Sequence, residues 1–174
     1  MFIILLKKIG EYGPFILLII SVFLLRNKWN LLFYYLLFFG VSILINLVVK
    51  GIIQQPRPSI DPKTFNLMMK NKERYIYKHG MPYDIFGMPS GHSQSVLFST
   101  VFIYFSLRNL KIMVLYLIIS IITLFQRVIE THHTVSQVIV GSSIGFILGY
   151  IGYTMAKINI EGKKTAKKDD YGPI

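Results

Sequence analysis

Long uncharged runs alternate with short polar clusters through most of this chain. Tyr12–Leu25, Leu31–Val49, Ser93–Leu107, Ile112–Phe125 and Thr134–Ala156 contain no Asp, Glu, Lys or Arg. A bilayer core takes about 20 apolar residues per helix, and fewer where flanking side chains snorkel. The pattern therefore predicts about five transmembrane helices in one polytopic, all-α bundle over residues 12–157. The opening Phe2–Leu6 run is too short to span, and the Lys7-Lys8 pair follows it instead of preceding it. Residues 1–11 thus read as an interfacial lead-in and not as a cleavable signal peptide. Beyond Ile158, Lys163, Lys164, Lys167 and Lys168 sit beside Asp169 and Asp170, so residues 158–174 read as a basic, solvated and mobile tail.

Composition supports the membrane reading. Hydrophobic residues make up 53% of 174 positions and mean hydropathy is +0.52, more apolar surface than a soluble domain of this size buries. A net charge of +11 raises the question of nucleic acid, but the cations lie between spans and in the tail, and no nucleic-acid motif accompanies them. The bilayer and its anionic lipids are the expected partner. With no cysteine, disulfides, thiolate metal sites and a cysteine nucleophile are all excluded.

The one long polar connection, residues 59–87, mixes cations with Phe65, Leu67, Met68, Met69, Tyr75 and Tyr77. Two readings suit it: a segment lying in the headgroup layer, or a flexible connector. Five spans also place three polar clusters on one side of the membrane. Lys50 through Pro58 closes the second span, Gly87 through Ser93 opens the third, and Arg127 through Gln137 joins the fourth to the fifth.

The three clusters carry phosphate chemistry. Lys50 and Arg57 are charges at a membrane edge, either anchoring the span or binding an anion; a planar guanidinium and a point-charge ammonium suit phosphate. Pro89-Ser90-Gly91-His92 leads into a helix. It offers a hydroxyl, free N–H groups at the positive end of the helix dipole, and a glycine that lets backbone approach an anion. Ser90 is equally suited to cap that helix. His92 can protonate a leaving oxygen. His133 can attack phosphorus if one ring nitrogen is unprotonated and the other N–H is held by an acceptor; Gln137, four residues on, supplies an amide oxygen on the same helix face. His132 points elsewhere and reads as interfacial. The four histidines lack zinc-type spacing, so no metal or other cofactor is expected.

These clusters, in this order and spacing, resemble the type 2 phosphatidic acid phosphatase (PAP2) family, which shares its core with vanadium haloperoxidases. The family pattern is Lys, six residues, Arg-Pro; then Pro-Ser-Gly-His; then Ser-Arg, five residues, His, three residues, Asp. Lys50, Arg57, Pro58, Pro89, Ser90, Gly91, His92, Arg127 and His133 match it. Gln126 replaces the family Ser, and Gln137 replaces the Asp that orients the nucleophile. His133-Thr134-Val135-Ser136-Gln137, with Gly87-Met88-Pro89 and His92-Ser93-Gln94, is similar to the dolichyl diphosphate phosphatase branch, where His-Thr-x-x-Gln stands in for the Asp. Glu130 is a second candidate for the missing carboxylate.

The resemblance implies a haloperoxidase-like core and a metal-independent, two-step phosphoryl transfer. His133 would be the nucleophile, His92 the acid and Gln137 the support, while Lys50, Arg57, Ser90, Gly91 and Arg127 bind phosphate. It implies a phosphorylated lipid as substrate, first a polyprenyl or dolichyl-type diphosphate and next phosphatidic acid. A noncatalytic headgroup binder is the reading from another class, disfavoured by the two intact histidines. Arg26, Lys28, Arg108 and Lys111 lie in short loops on the face opposite the clusters, which places the clusters on the lumenal or extracytoplasmic side.

Overall fold

The computed structural model describes residues 2–78 and 80–169. Five long helices form the bundle: α1 (Phe2–Leu25), α2 (Trp29–Ile53), α4 (Gly91–Leu107), α5 (Leu110–Ile129) and α6 (Val135–Asp169). Between α2 and α4 lie a short helix, α3 (Pro62–Lys70), and two strands, β1 (Tyr75–Lys78) and β2 (Met81–Asp84). Four of the long helices are long and apolar enough to cross a membrane on their own: Ile3–Leu25, Trp29–Ile53, Leu110–Ile129 and Val135–Gly162. The fifth, α4, has 17 residues, or about 25 Å of helix, and packs against all the others.

The outer four helices face lipid with large apolar side chains such as Phe23, Phe33, Leu44, Ile121, Phe125 and Phe146. The interior is partly polar, and its polar groups are paired between helices. Tyr35 and Ser99 hydroxyls meet at 2.8 Å, Ser21 and Tyr116 at 2.9 Å, Thr100 and Ser120 at 2.9 Å. Gln94 Nε2 donates to the Ser42 carbonyl at 2.7 Å and to its hydroxyl at 2.8 Å. In hydrocarbon, such pairs contribute about 0.6–2 kcal/mol each. Tyr35, Phe98 and Phe102 fill the remaining centre.

The closest helix pairing sets the site. Gly141, Gly145 and Gly149 form a four-residue stripe on α6, and a Cβ at any of them would collide with the backbone carbonyl of Ser90, Gln94 or Phe98 respectively. Small residues at this spacing let two membrane helices touch backbone to backbone. The N-termini of α4 and α6 are held together in consequence, and the Ser90 N–H donates to the Gln137 carbonyl at 3.0 Å.

Three segments take forms that the sequence left undefined. Residues 2–11 are not a separate lead-in, because α1 runs unbroken from Phe2 through Leu25; Gly10 and Gly13 there press against Gln126 and Thr123 of α5, so tertiary packing carries the helix through Lys7 and Lys8. The tail beyond Ile158 continues as helix to Asp169, and its last residues, 170–174, lie outside the described residues. The 59–87 connection is folded, not a flexible connector. Asp61 caps α3 by accepting from the Thr64 N–H at 2.9 Å, with Pro62 in the first turn. β1 and β2 pair antiparallel, Tyr75 opposite Asp84 and Lys78 opposite Met81, with Gly80 at φ 77° in the reversal. Ile60, Met68, Ile85 and Phe86 make a small core of their own under this cap.

Candidate active site

Each cluster is delivered by a chain break. α2 stops where Gln54 turns left-handed, its N–H bonded to the Lys50 carbonyl at 3.0 Å, and Pro56 then prevents further helix. This leaves Lys50 in the last turn of α2 and Arg57 across the break. Ser90 is the N-cap of α4, so the capping role is realised; its hydroxyl oxygen accepts from the Ser93 hydroxyl at 2.9 Å and the Ser93 N–H at 3.5 Å. α5 ends at Ile129, and the Arg127 carbonyl accepts from the His132 and His133 N–H groups, both at 3.1 Å. That tight turn points His133 into the protein, where it is 2% exposed.

His133 is held at both ring nitrogens. Nδ1 is 2.9 Å from the Gly87 carbonyl and 3.1 Å from Gln137 Oε1, and both partners are acceptors. Nδ1 therefore carries the proton, and Nε2 presents a lone pair. Arg57 Nη1 donates to that lone pair at 2.9 Å and to the His132 carbonyl at 3.3 Å. Burial, then the Arg57 and Lys50 charges, push the His133 imidazole down to about 2, which keeps the ring neutral.

Gln137 is fully buried, and its whole amide is committed. Besides His133, its oxygen accepts from the Thr134 N–H at 3.2 Å. Its nitrogen donates to the Pro56 carbonyl at 3.0 Å and to Gln55 Oε1 at 3.1 Å. Two oxygens face this nitrogen, so the position calls for a donor as well as an acceptor. Gly87 is required beside it, since a Cβ there would overlap the amide at about 2.5–2.7 Å.

The cations converge on this imidazole. Lys50, 4% exposed, donates to the Phe86 carbonyl at 2.8 Å and lies 3.5 Å from Asp84 Oδ2. The Arg57 guanidinium stacks over the Tyr83 ring, 4.6 Å from its centroid. Arg127 is buried, and among the described residues its hydrogen bonding is through Nε, to Gln126 Oε1 at 2.7 Å. His92 stands on the first turn of α4, within electrostatic reach of Arg127 and Arg57. Its Nε2 donates to the Glu11 carbonyl of α1 at 3.1 Å. Among the described residues, no hydrogen bond joins His92 to His133, Lys50 or Arg57. Gly91 and His92 line a cavity of about 350 Å³ whose walls are largely apolar, with Phe15 and Leu18 from α1 and Phe39, Ile43 and Leu47 from α2.

Glu130, the alternative support for His133, is instead paired with Lys7 at 2.9 Å, so it has a partner on α1. His132 Nδ1 lies 3.3 Å from the Tyr83 hydroxyl. Sequence reasoning missed the Gly87 carbonyl, Gln55, Tyr83 and Asp84. A carbonyl leaves no residue-type signal. Tyr83 and Asp84 were findable only through the hairpin, whose two four-residue runs flank a Gly-containing reversal. Among the described residues, no group of three His, Asp or Glu gathers in metal-binding geometry.

A lone-pair imidazole ringed by cations at the end of a membrane bundle, with Gly91 and His92 bordering an apolar cavity, defines a class of site suited to anionic lipid headgroups. The PAP2 superfamily profile matches residues 29–161, and the chain belongs to that superfamily. It is 31% identical over 125 residues to the dolichyldiphosphatase of Saccharomyces cerevisiae, a match covering 66% of this chain and 47% of that protein. The chain thus spans about half the length of the curated relative it matches. Its fold is similar to the crystal structure of a transmembrane PAP2-type phosphatidylglycerolphosphate phosphatase from Bacillus subtilis, with a TM-score of 0.61, 23% identity, and coverage of 88% of this chain and 75% of that one.

Proposed function

We propose that the chain hydrolyses the terminal phosphate of a polyprenyl diphosphate, of the dolichyl type, through a phosphohistidine on His133. The observation that carries this reading is the His133 ring: Nδ1–H is fixed by the Gly87 carbonyl and Gln137 Oε1, while Nε2 faces Arg57 at 2.9 Å. A binder needs cations but has no use for an aimed, neutral imidazole.

An arriving phosphate takes over the Arg57 donor that now rests on Nε2, and Lys50, Arg127, the Ser90 hydroxyl and the Gly91 N–H complete the cradle. Nε2 attacks the terminal phosphorus, and the bond from that phosphorus to the bridging oxygen breaks. His92, entering this step as the imidazolium, gives the departing lipid monophosphate a proton and is left neutral. Water then attacks the phosphohistidine, His92 takes a proton from it, the P–N bond breaks, and free phosphate leaves with the Nε2 lone pair restored. The apolar cavity beside His92 suits the first part of the leaving lipid, so the tail need not enter water.

Likeness to the yeast dolichyldiphosphatase supports the diphosphate over phosphatidic acid. Phosphate release in detergent with EDTA present tests both points. Faster turnover of a polyprenyl diphosphate is expected, whereas preference for phosphatidic acid would overturn the substrate and a strict need for a divalent ion would overturn the cationic cradle. Inhibition by vanadate is expected, since a five-coordinate vanadate resembles the in-line transition state.

A further inference from the structure

One residue outside the three clusters touches both cations of the first. Asp84, at the end of β2, places Oδ2 at 3.5 Å from Lys50 Nζ and 3.0 Å from Arg74 Nη2. Its Oδ1 accepts from the Phe86 N–H at 3.0 Å and from Arg74 Nε at 3.3 Å. Its main-chain carbonyl accepts from Arg57 Nε at 2.7 Å. Lys50 sits on α2 and Arg57 beyond the Pro56 break, so no single element of the bundle fixes their separation. The cap hairpin does so from one residue.

A carboxylate this close to an anion site opposes anion binding by simple Coulomb repulsion. Its presence needs a reason, and the surroundings of Lys50 supply one. An ammonium that is 4% exposed and close to the like charges of Arg57 and Arg74 is costly unless it is paired. The Phe86 carbonyl accepts one of its protons at 2.8 Å, but a carbonyl carries no charge. Arg74 grips the carboxylate from the outer side, through both Nε and Nη2, while the Phe86 N–H anchors Oδ1 independently and Oδ2 faces Lys50. The Lys50 contact to Asp84 is the longer of its two, which leaves the ammonium able to turn a proton toward an incoming phosphate oxygen.

We infer that Asp84 is a positioning residue for the phosphate cradle, its carboxylate acting through Lys50 and its carbonyl through Arg57. This rests on the phosphatase reading above, and it adds a residue that lies outside the family motifs.

Orthovanadate is the probe, read both as inhibitor of phosphate release and as a ligand that raises the unfolding temperature of the detergent-purified protein. Asp84→Asn keeps the size of the side chain, an acceptor for the Phe86 N–H and the carbonyl to Arg57, while it removes the charge and puts an amide donor where Oδ2 faces Lys50 and Arg74. Its orthovanadate affinity is expected to fall by at least about tenfold, because a buried ammonium has lost its counter-ion. Asp84→Glu, which restores the charge one methylene further out, is expected to recover part of the loss. In a Lys50→Met background, Asp84→Asn is expected to add little to the loss already present, since the carboxylate acts through Lys50. Arg74→Gln leaves the Lys50 contact in place and is expected to stay within about twofold of wild type by the same reasoning.

Wild-type affinity in Asp84→Asn would overturn the proposal. So would a full, additional loss in the Lys50→Met background, or a loss in Arg74→Gln equal to that of Asp84→Asn, which would make Asp84 a support of the cap alone. Should Asp84→Asn not yield folded protein, Asp84→Glu carries the test: its affinity is expected to lie below wild type at unchanged unfolding temperature without ligand, and wild-type affinity there would overturn the proposal. Failure of wild type itself to bind orthovanadate is a different result, and takes down the phosphatase reading together with this one.

Discussion

The two ring nitrogens of His133 have different neighbours, and the difference predicts which substitutions are tolerated. His133→Ala is expected to abolish turnover and any trapped phosphoenzyme, whereas His132→Ala retains most activity, because Arg57 uses the His132 carbonyl and not its ring. Equal loss in both variants, measured as acid-labile phosphate incorporation, would show that the nucleophile is misassigned. Gln137→Leu removes an acceptor and two donated bonds at a fully buried position. A loss of roughly 10²-fold in kcat is expected, by analogy with other base-orienting groups, although the Gly87 carbonyl keeps the tautomer. Gln137→Asp restores the charge of the wider family but turns oxygens toward the Pro56 carbonyl and Gln55 and is one methylene shorter. It is expected to show partial activity at best, with an unfolding free energy lower by about 1–3 kcal/mol for the unsatisfied group. Wild-type activity in Gln137→Leu would remove any orienting role. At this scale the sequence was legible wherever chemistry resides in side-chain identity: Lys50, Arg57, Arg127, His133 and Gln137 are drawn to one place. It was silent on Gly87, whose contribution to His133 is a carbonyl that every residue has.

Among the elements, the pairing of α4 with α6 carries the most structural information. Gly145→Leu would put four carbons where the Gln94 carbonyl lies, forcing the helices apart and moving Ser90 and His92 away from His133. Loss of a monodisperse species in detergent, or an unfolding temperature well below wild type, is expected. Gly40 has open space around it, and Gly40→Ala is the matched control that should unfold as wild type does. Uncharged runs read well as helices because charge density marks membrane edges, yet their ends were misjudged. Lys7 and Lys8 look like a boundary in the sequence, but α1 passes through them on the strength of Gly10 and Gly13 packing against α5. The cap was harder still: α3 and the hairpin are short, and their order comes from Ile60, Met68, Ile85 and Phe86 meeting across the segment, a pattern without local periodicity.

For the whole molecule, acid stability and orientation are the accessible quantities. His133 is held neutral, its value pushed down to about 2 from 6.5 by burial and by Arg57 and Lys50. An unfolded chain takes up this proton as pH falls through 6.5 and the folded chain does not, so stability is expected to drop below about pH 6.5. The drop should be shallower in His133→Ala, as read from unfolding temperatures across pH. Burial alone would raise the Asp84 carboxyl, but Arg74 and Lys50 outweigh it and hold it below the usual 3.8. Its share of stability is present above that value and lost at lower pH, a window separate from that of His133. The absence of cysteine gives a clean background for orientation. A single cysteine at Lys63 is expected to react with an impermeant maleimide added outside intact cells, and one at Lys111 only after lysis; the reverse would place the site in the cytoplasm.

The polar centre of α4 has a consequence for how the protein is made. Gln94, Ser99 and Thr100 are satisfied by α2 and α5 and by the backbone of α4 itself, and Ser93 by the Ser90 cap; at 17 residues α4 is also the shortest of the five long helices. A ribosome delivering α4 to the membrane presents Thr100 before its partner on α5, Ser120, exists. It should be held in the translocon until α5 emerges, the two then entering the lipid together as a hairpin closed by Arg108 and Asn109. Glycosylation mapping of fusion proteins would show this as poor insertion of α4 alone and efficient insertion of the α4–α5 pair.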